Sequence, residues 1–190
     1  LNGEKINEHH GGYSTFRTPL SLKDGDNLLS IVVDNSPSNT VYPQTADFTF
    51  YGGLYRDVNI ISLPSSHFDT EYFGGPGIKA TPYVDGRVEV EVYVKGSFDF
   101  IRYTILDREG NEVIKEESNG TAHTLTLFSP HLWNGKKDPY LYTLKASLIS
   151  GGIEKDRVSV DIGFRSYVID SERGFILNGE EYPLRGVSRH

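Results

Sequence analysis

The sequence predicts an all-β protein, and three observations carry that reading. Val88-Glu-Val-Glu-Val-Tyr-Val94 alternates strictly between apolar and polar side chains, the period-two mark of a strand with one buried face. Turn signals at Asp85-Gly86, Gly110-Asn111, Asn119-Gly120 and Gly151-Gly152 punctuate such runs at the spacing of a sandwich. No stretch carries the apolar repeat of an amphipathic helix of three turns.

Taken along the chain, runs at 16–22, 28–34 and 58–63 read as strands, with a loop between 35 and 45. Pro64-Ser65-Ser66 reads as a linker. The segment 65–165 holds about seven strands, including 88–94, 125–127, 144–148 and 158–162, which predicts an antiparallel immunoglobulin-like sandwich. In 166–190, Asn178-Gly179 sits between Phe175-Ile-Leu177 and Tyr182, a two-residue hairpin signal because both turn positions need positive φ. A further strand is predicted over 184–187. The units are therefore 1–64, 65–165 and 166–190. The chain opens on Leu1, contains no Met and stops as that last strand begins, so it is expected to be a piece of a longer polypeptide. The first unit is then expected to have an incomplete core, with exposed apolar faces or strand edges.

Composition narrows the partners. Nineteen Lys plus Arg against 26 Asp plus Glu give a net charge of −7, which repels phosphate backbones and argues against nucleic acid. No apolar run approaches the roughly 20 residues that span a bilayer, so no membrane partner is expected. With no Cys, disulfides, thiol catalysis and Cys-based zinc sites are excluded from this stretch. Twelve Tyr, ten Phe and one Trp suit β-sheet cores and equally suit sugar recognition.

The densest constellation is Asp47-Phe-Thr-Phe-Tyr-Gly-Gly-Leu-Tyr-Arg-Asp-Val58. Gly52-Gly53 allows a bulge or a close approach, and Arg56-Asp57 allows a buried ion pair, which is the structural reading. The functional reading rests on Asp47 beside Phe48 and Phe50, because a carboxylate accepts two sugar hydroxyls while a ring covers the apolar face of a pyranose. Glu8-His9-His10 has the composition of a metal cluster. Neighbouring strand residues point to opposite faces, however, so a solvated turn before Gly11-Gly12 is preferred. Leu132-Trp133 and Pro139-Tyr-Leu-Tyr142 read as architecture. Trp133 plugs the sandwich or its seam to the next domain, and the hydroxyl of Tyr140 or Tyr142 needs a partner if buried.

Together these blocks resemble glycoside hydrolase family two, which includes the large β-galactosidases, β-glucuronidases and β-mannosidases. Tyr51-Gly-Gly-Leu-Tyr-Arg-Asp-Val58 is similar to the strand closing the family's jelly-roll sugar-binding domain. Asn2-Gly3 and Gly11-Gly-Tyr13 through Phe16 fit the middle strands of that jelly roll. Leu132-Trp133 with Pro139-Tyr-Leu-Tyr-Thr-Leu144 is similar to late strands of its immunoglobulin-like domain. Gly163-Phe-Arg165, Leu177-Asn-Gly179 and Leu184-Arg-Gly-Val-Ser-Arg-His190 are similar to the lead-in to its (β/α)₈ barrel. The resemblance implies a partial jelly roll, an immunoglobulin-like sandwich and a barrel stub.

It also implies retaining hydrolysis by two Glu roughly 5 Å apart, both downstream of this chain, so no catalytic residue is assigned here. Asp47 and His190 are carried over as sugar-contacting residues, His190 at a barrel strand end where such sites are built. Ser188 departs from the family's usual Asn. The expected function is the non-catalytic part of an exo-acting β-galactosidase. The alternatives are a stand-alone carbohydrate-binding module and an immunoglobulin-like interaction module. No cofactor is expected in this stretch and Mg or Na in the parent, which is expected to be a homo-oligomer acting on a carbohydrate substrate. The sequence leaves the compartment open, with the bacterial cytoplasm favoured over periplasm or export.

Overall fold

The computed structural model describes residues 1–39 and 49–188. They divide into two units: Leu1–Ser62 with Thr70–Gly75, and Leu63–Asp69 with the residues from Pro76 onward.

The second unit bears out the all-β expectation. Its strands are β1 (His67–Phe68), β2 (Ile78–Pro82), β3 (Arg87–Val92), β4 (Val94–Lys95), β5 (Phe100–Leu106), β6 (Glu112–Ser118) and β7 (Ala122–Thr126). They continue with β8 (Tyr142–Ser150), β9 (Ile153–Ile162), β10 (Tyr167–Asp170), β11 (Gly174–Leu177) and β12 (Glu180–Glu181). One sheet runs β2-β3-β7 and a second runs β6-β5-β8-β9. These are seven principal strands in two antiparallel sheets. The two-residue β1 and β4 pair at one side, where the Asp156 carboxylate accepts the Phe68 N–H at 2.9 Å.

Period-two patterning decides which face is buried. Along β3, Val88, Val90 and Val92 point inward while Glu89 and Glu91 face solvent. They meet Ile101, Tyr103 and Ile105 of β5, Leu125 of β7, and Leu144, Ala146 and Leu148 of β8. Each fully buried Val, Leu or Ile contributes roughly 1.5–3 kcal/mol. The edge strand β6 carries Glu112, Lys115, Glu116 and Glu117, charges that discourage pairing with another edge. The predicted turns fall between strands: Gly151-Gly152 (φ 61° and 72°) joins β8 to β9, and Asn178-Gly179 (φ 50° and 86°) joins β11 to β12.

Two local expectations are corrected. The runs 16–22, 28–34 and 58–63 of the first unit form no strand among the described residues. Patterning gives propensity, but a strand exists only where a ladder partner accepts its backbone groups. Their apolar side chains stay exposed, Val32 at 91% and Ile60 at 72%. Likewise 184–187 is not a strand, and Val187 is 95% exposed, so no barrel stub is shown among the described residues. The predicted terminal hairpin does form, β11 with β12, and it extends to a three-stranded meander because β10 pairs with β11.

Within the first unit, a short 3₁₀ turn (Tyr72–Gly74) is held by Arg17. Its guanidinium donates to the Thr70 carbonyl at 2.6 Å and to the Gly75 carbonyl at 2.9 Å.

Candidate functional site

Asp47 and His190, the two sequence-predicted sugar contacts, lie outside the described residues. What the structure describes is the residues that flank 47 and those that precede 190.

Around position 47 the support belongs to the first unit. The Asp34 carboxylate accepts the Ser36 hydroxyl and the Ser36 N–H, which holds it below the ordinary carboxyl range. Asn35 then donates its side-chain amide to the Phe50 carbonyl at 3.1 Å, tying the residues before the loop to those after it. Gly52 makes this approach possible, since a Cβ there would stand 3.1 Å from the Asn35 side-chain carbon. Gly53 has φ +105° and open space, so its need is conformational. The two glycines thus do different work, and the close-approach reading holds at Gly52. The Tyr55 hydroxyl donates to the Tyr51 carbonyl. Arg56 and Asp57 are both exposed, which corrects the expected buried ion pair.

Before position 190, the second unit contains a polar joint. The Asn178 amide donates to the Trp133 carbonyl at 3.0 Å and to Asn134 Oδ1 at 2.7 Å. Its own Oδ1 accepts the Ser166 N–H at 2.8 Å, and its N–H donates to the Ser166 carbonyl at 2.9 Å. Lys136 N–H donates to the Tyr182 hydroxyl at 2.9 Å. Gly135 lets that ring in, because a Cβ there would lie 2.4 Å from the same oxygen. Trp133 rests on Gly163, with the Arg165 guanidinium 5.3 Å from the indole centroid. The indole thus packs on the segment between β9 and β10, and the Trp133 carbonyl takes the amide of the β11–β12 turn.

Both tyrosine hydroxyls find partners here. Tyr142 accepts the His131 N–H at 2.9 Å and Tyr140 accepts the Arg108 N–H at 3.2 Å. The Tyr140 ring stacks on His131 at 4.1 Å, and the Arg108 guanidinium lies 4.8 Å from its centroid. These rings are occupied by protein neighbours rather than offered to a ligand.

The remaining surface offers less. A groove of about 500 Å³ crosses the outer face of β2-β3-β7 between Lys79, Thr81, Glu89, Glu91 and Thr124. The nearby Tyr83 donates its hydroxyl to Glu89 at 2.8 Å, and Arg87 lies 4.0 Å over its ring. That aromatic face is covered, so the groove lacks a sugar platform. Glu8-His9-His10 gathers no metal set: His10 pairs with Glu8 at 3.2 Å, while His9 stacks on Phe16 at 4.4 Å. Among the described residues no three His, Asp or Glu side chains converge to hold an ion, so no residue is assigned to Mg or Na. Sequence reading missed Asn35 and Asn178 as supports. The signal available was an Asn flanking a predicted loop and a predicted turn.

A family model described as Glycosyl hydrolases family 2 matches residues 77–165. The chain is 31% identical to a β-glucuronidase of Bacteroides fragilis, over 100% of this chain and 30% of that protein. It is 27% identical to a β-galactosidase of Thermoanaerobacter pseudethanolicus, over 100% of this chain and 27% of that protein. Among solved structures, an FMN-binding β-glucuronidase from Faecalibacterium prausnitzii L2-6 superposes with a TM-score of 0.74 at 41% identity. That match covers 82% of this chain and 25% of the other. The chain spans under a third of the length of each of these proteins.

Proposed function

From the membership of residues 77–165 in glycosyl hydrolases family 2, we propose that the chain is the non-catalytic part of a longer retaining, exo-acting glycosidase. The specificity proposed is β-glucuronide. The observation that carries it is the match of the whole chain to a β-glucuronidase at 31% identity. A second reading, β-galactoside, is favoured by the match to a β-galactosidase at 27%. In this reading the catalytic Glu pair belongs to the rest of the protein, and this chain supplies Asp47 and His190 as sugar contacts. The parent is a homo-oligomer.

The two substrates differ by a charge. A glucuronide carboxylate calls for a cationic or hydrogen-bond-donating group, and this chain carries a net charge of −7.

The test is hydrolysis of p-nitrophenyl β-glucuronide and β-galactoside by the full-length protein and by the 190-residue chain alone. The full-length protein is expected to prefer the glucuronide and the chain alone to be inert. Turnover by the chain alone that disappears on substituting one of its own Asp or Glu overturns the assignment. In the full-length protein, Asp47→Asn is expected to lower kcat/KM by roughly 1 to 4 kcal/mol, because its hydrogen bonds tighten as the ring flattens in the transition state. Normal kinetics with a lowered Tm would make Asp47 structural.

A further inference from the structure

The chain contains four Asn-Gly dipeptides, at 2–3, 119–120, 134–135 and 178–179. This is the dipeptide in which the following N–H most readily attacks the Asn side chain, because glycine presents no Cβ to obstruct it. We propose that Asn119 is a site of spontaneous deamidation in the folded protein, and that the other three are protected by their hydrogen bonds.

The chemistry balances without any oxidant or metal. Hydroxide from solvent takes the proton of the Gly120 N–H, and the nitrogen forms a bond to the Asn119 side-chain carbon. The bond from that carbon to the amide nitrogen breaks, and ammonia leaves with a proton from water. Water then opens the five-membered succinimide at either carbonyl, giving aspartate or isoaspartate. One water is consumed and one ammonia released.

Ring closure requires the Asn side chain to swing onto its own backbone, so an amide held elsewhere cannot react until it lets go. Asn2 donates to Asn27 at 3.0 Å and accepts the Leu28 N–H at 2.9 Å. Asn134 accepts from Asn178 at 2.7 Å and donates to the Leu132 carbonyl at 3.3 Å. Asn178 makes the two donated bonds and one accepted bond of the joint. Asn119 stands apart: it is exposed in the turn between β6 and β7, and among the described residues its side chain has no hydrogen-bond partner. The space around Gly120 is open, with the nearest atom to a notional Cβ at 3.6 Å. Its N–H rests on the Ser118 hydroxyl at 3.2 Å, a long bond that yields easily.

Releasing two hydrogen bonds of about 1 kcal/mol each slows a reaction that needs the free side chain by about thirtyfold. The experiment incubates the chain at mildly alkaline pH and follows each site by peptide mapping with mass spectrometry. Fragment ions must separate Asn119 from Asn134, which share one tryptic peptide. In the native chain Asn119 is expected to convert about thirtyfold faster than the other three. In urea the four should converge, because the dipeptide is the same. Asn119→Gln should abolish the fast conversion and leave the others unchanged. The proposal is overturned if any of the other three matches Asn119 in the native chain. It is equally overturned if Asn119 stays intact when folded and converts only in urea.

Discussion

Tyr103→Phe should stabilise the second unit. Tyr103 projects from β5 into the core, has no exposed surface, and its ring stacks on His123 at 5.5 Å. Its hydroxyl is buried and, among the described residues, finds no hydrogen-bond partner. An unsatisfied buried hydroxyl costs about 1–3 kcal/mol, and replacing it with hydrogen leaves a void too small to cost more than a few tenths of a kcal/mol. The variant should therefore gain about 1 kcal/mol, seen as a Tm higher by roughly 2–4 °C for a chain of this size. The pH dependence gives a second readout. Burial pushes the phenol up from 10.0 to about 12. The folded chain keeps a proton that the unfolded chain releases first. Stability is therefore intact below pH 10 and falls as pH rises towards 12. Phenylalanine has no proton to lose, so the variant's advantage should widen across that window. Urea titrations of both chains at neutral pH and along the alkaline limb test this. A variant less stable than wild type at neutral pH would mean that the hydroxyl has a partner, such as a buried water, and would refute the reasoning.

Two further outcomes follow from contacts at turns. Gly86→Ala combines φ +91° with a Cβ 1.9 Å from the Leu127 carbonyl oxygen, and should cost more than about 3 kcal/mol by urea unfolding. Gly110→Ala, at φ +87° with nothing within 4 Å, should cost only about 1–2 kcal/mol, so equal losses would remove the steric argument. Asn178→Ala should cost about 1–2 kcal/mol by removing its bonds to the exposed Ser166 N–H and the part-buried Trp133 carbonyl. Asn178→Gly keeps the turn but should still lose the joint, reported by the fluorescence of Trp133, the sole Trp; unchanged emission in both variants would count against it.

Much of the second unit was legible because each of its rules is local. Alternation in β3 and the turn dipeptides each specify one choice that the neighbouring strands then confirm. Where a choice depends on a distant partner, legibility ends. β10 is a short run, Tyr-Val-Ile-Asp, without alternation, and only pairing with β11 makes it a strand. The runs of the first unit have the right composition, yet no ladder forms among the described residues, because pattern cannot supply a partner. The candidate site was less legible still. Asp47 was suggested by its aromatic neighbours and placed by resemblance, and His190 by resemblance alone, whereas Asn35 and Asn178 are ordinary residues until their amides are seen bridging segments.

Asn178 shows why a turn signal understates what a side chain does. As a turn residue at φ 50°, Asn, Asp and Gly are near equivalents, and the β8–β9 turn indeed uses Gly151-Gly152. As a joint they are not. The site presents two acceptors, the Trp133 carbonyl and Asn134 Oδ1, together with one donor, the Ser166 N–H. A primary amide matches this set, with two N–H donors and one oxygen. An aspartate has no proton to give and would set a charge against two lone pairs. Glycine would leave all three groups without a partner. The same residue therefore closes the β11–β12 turn and fixes the meander to the sandwich.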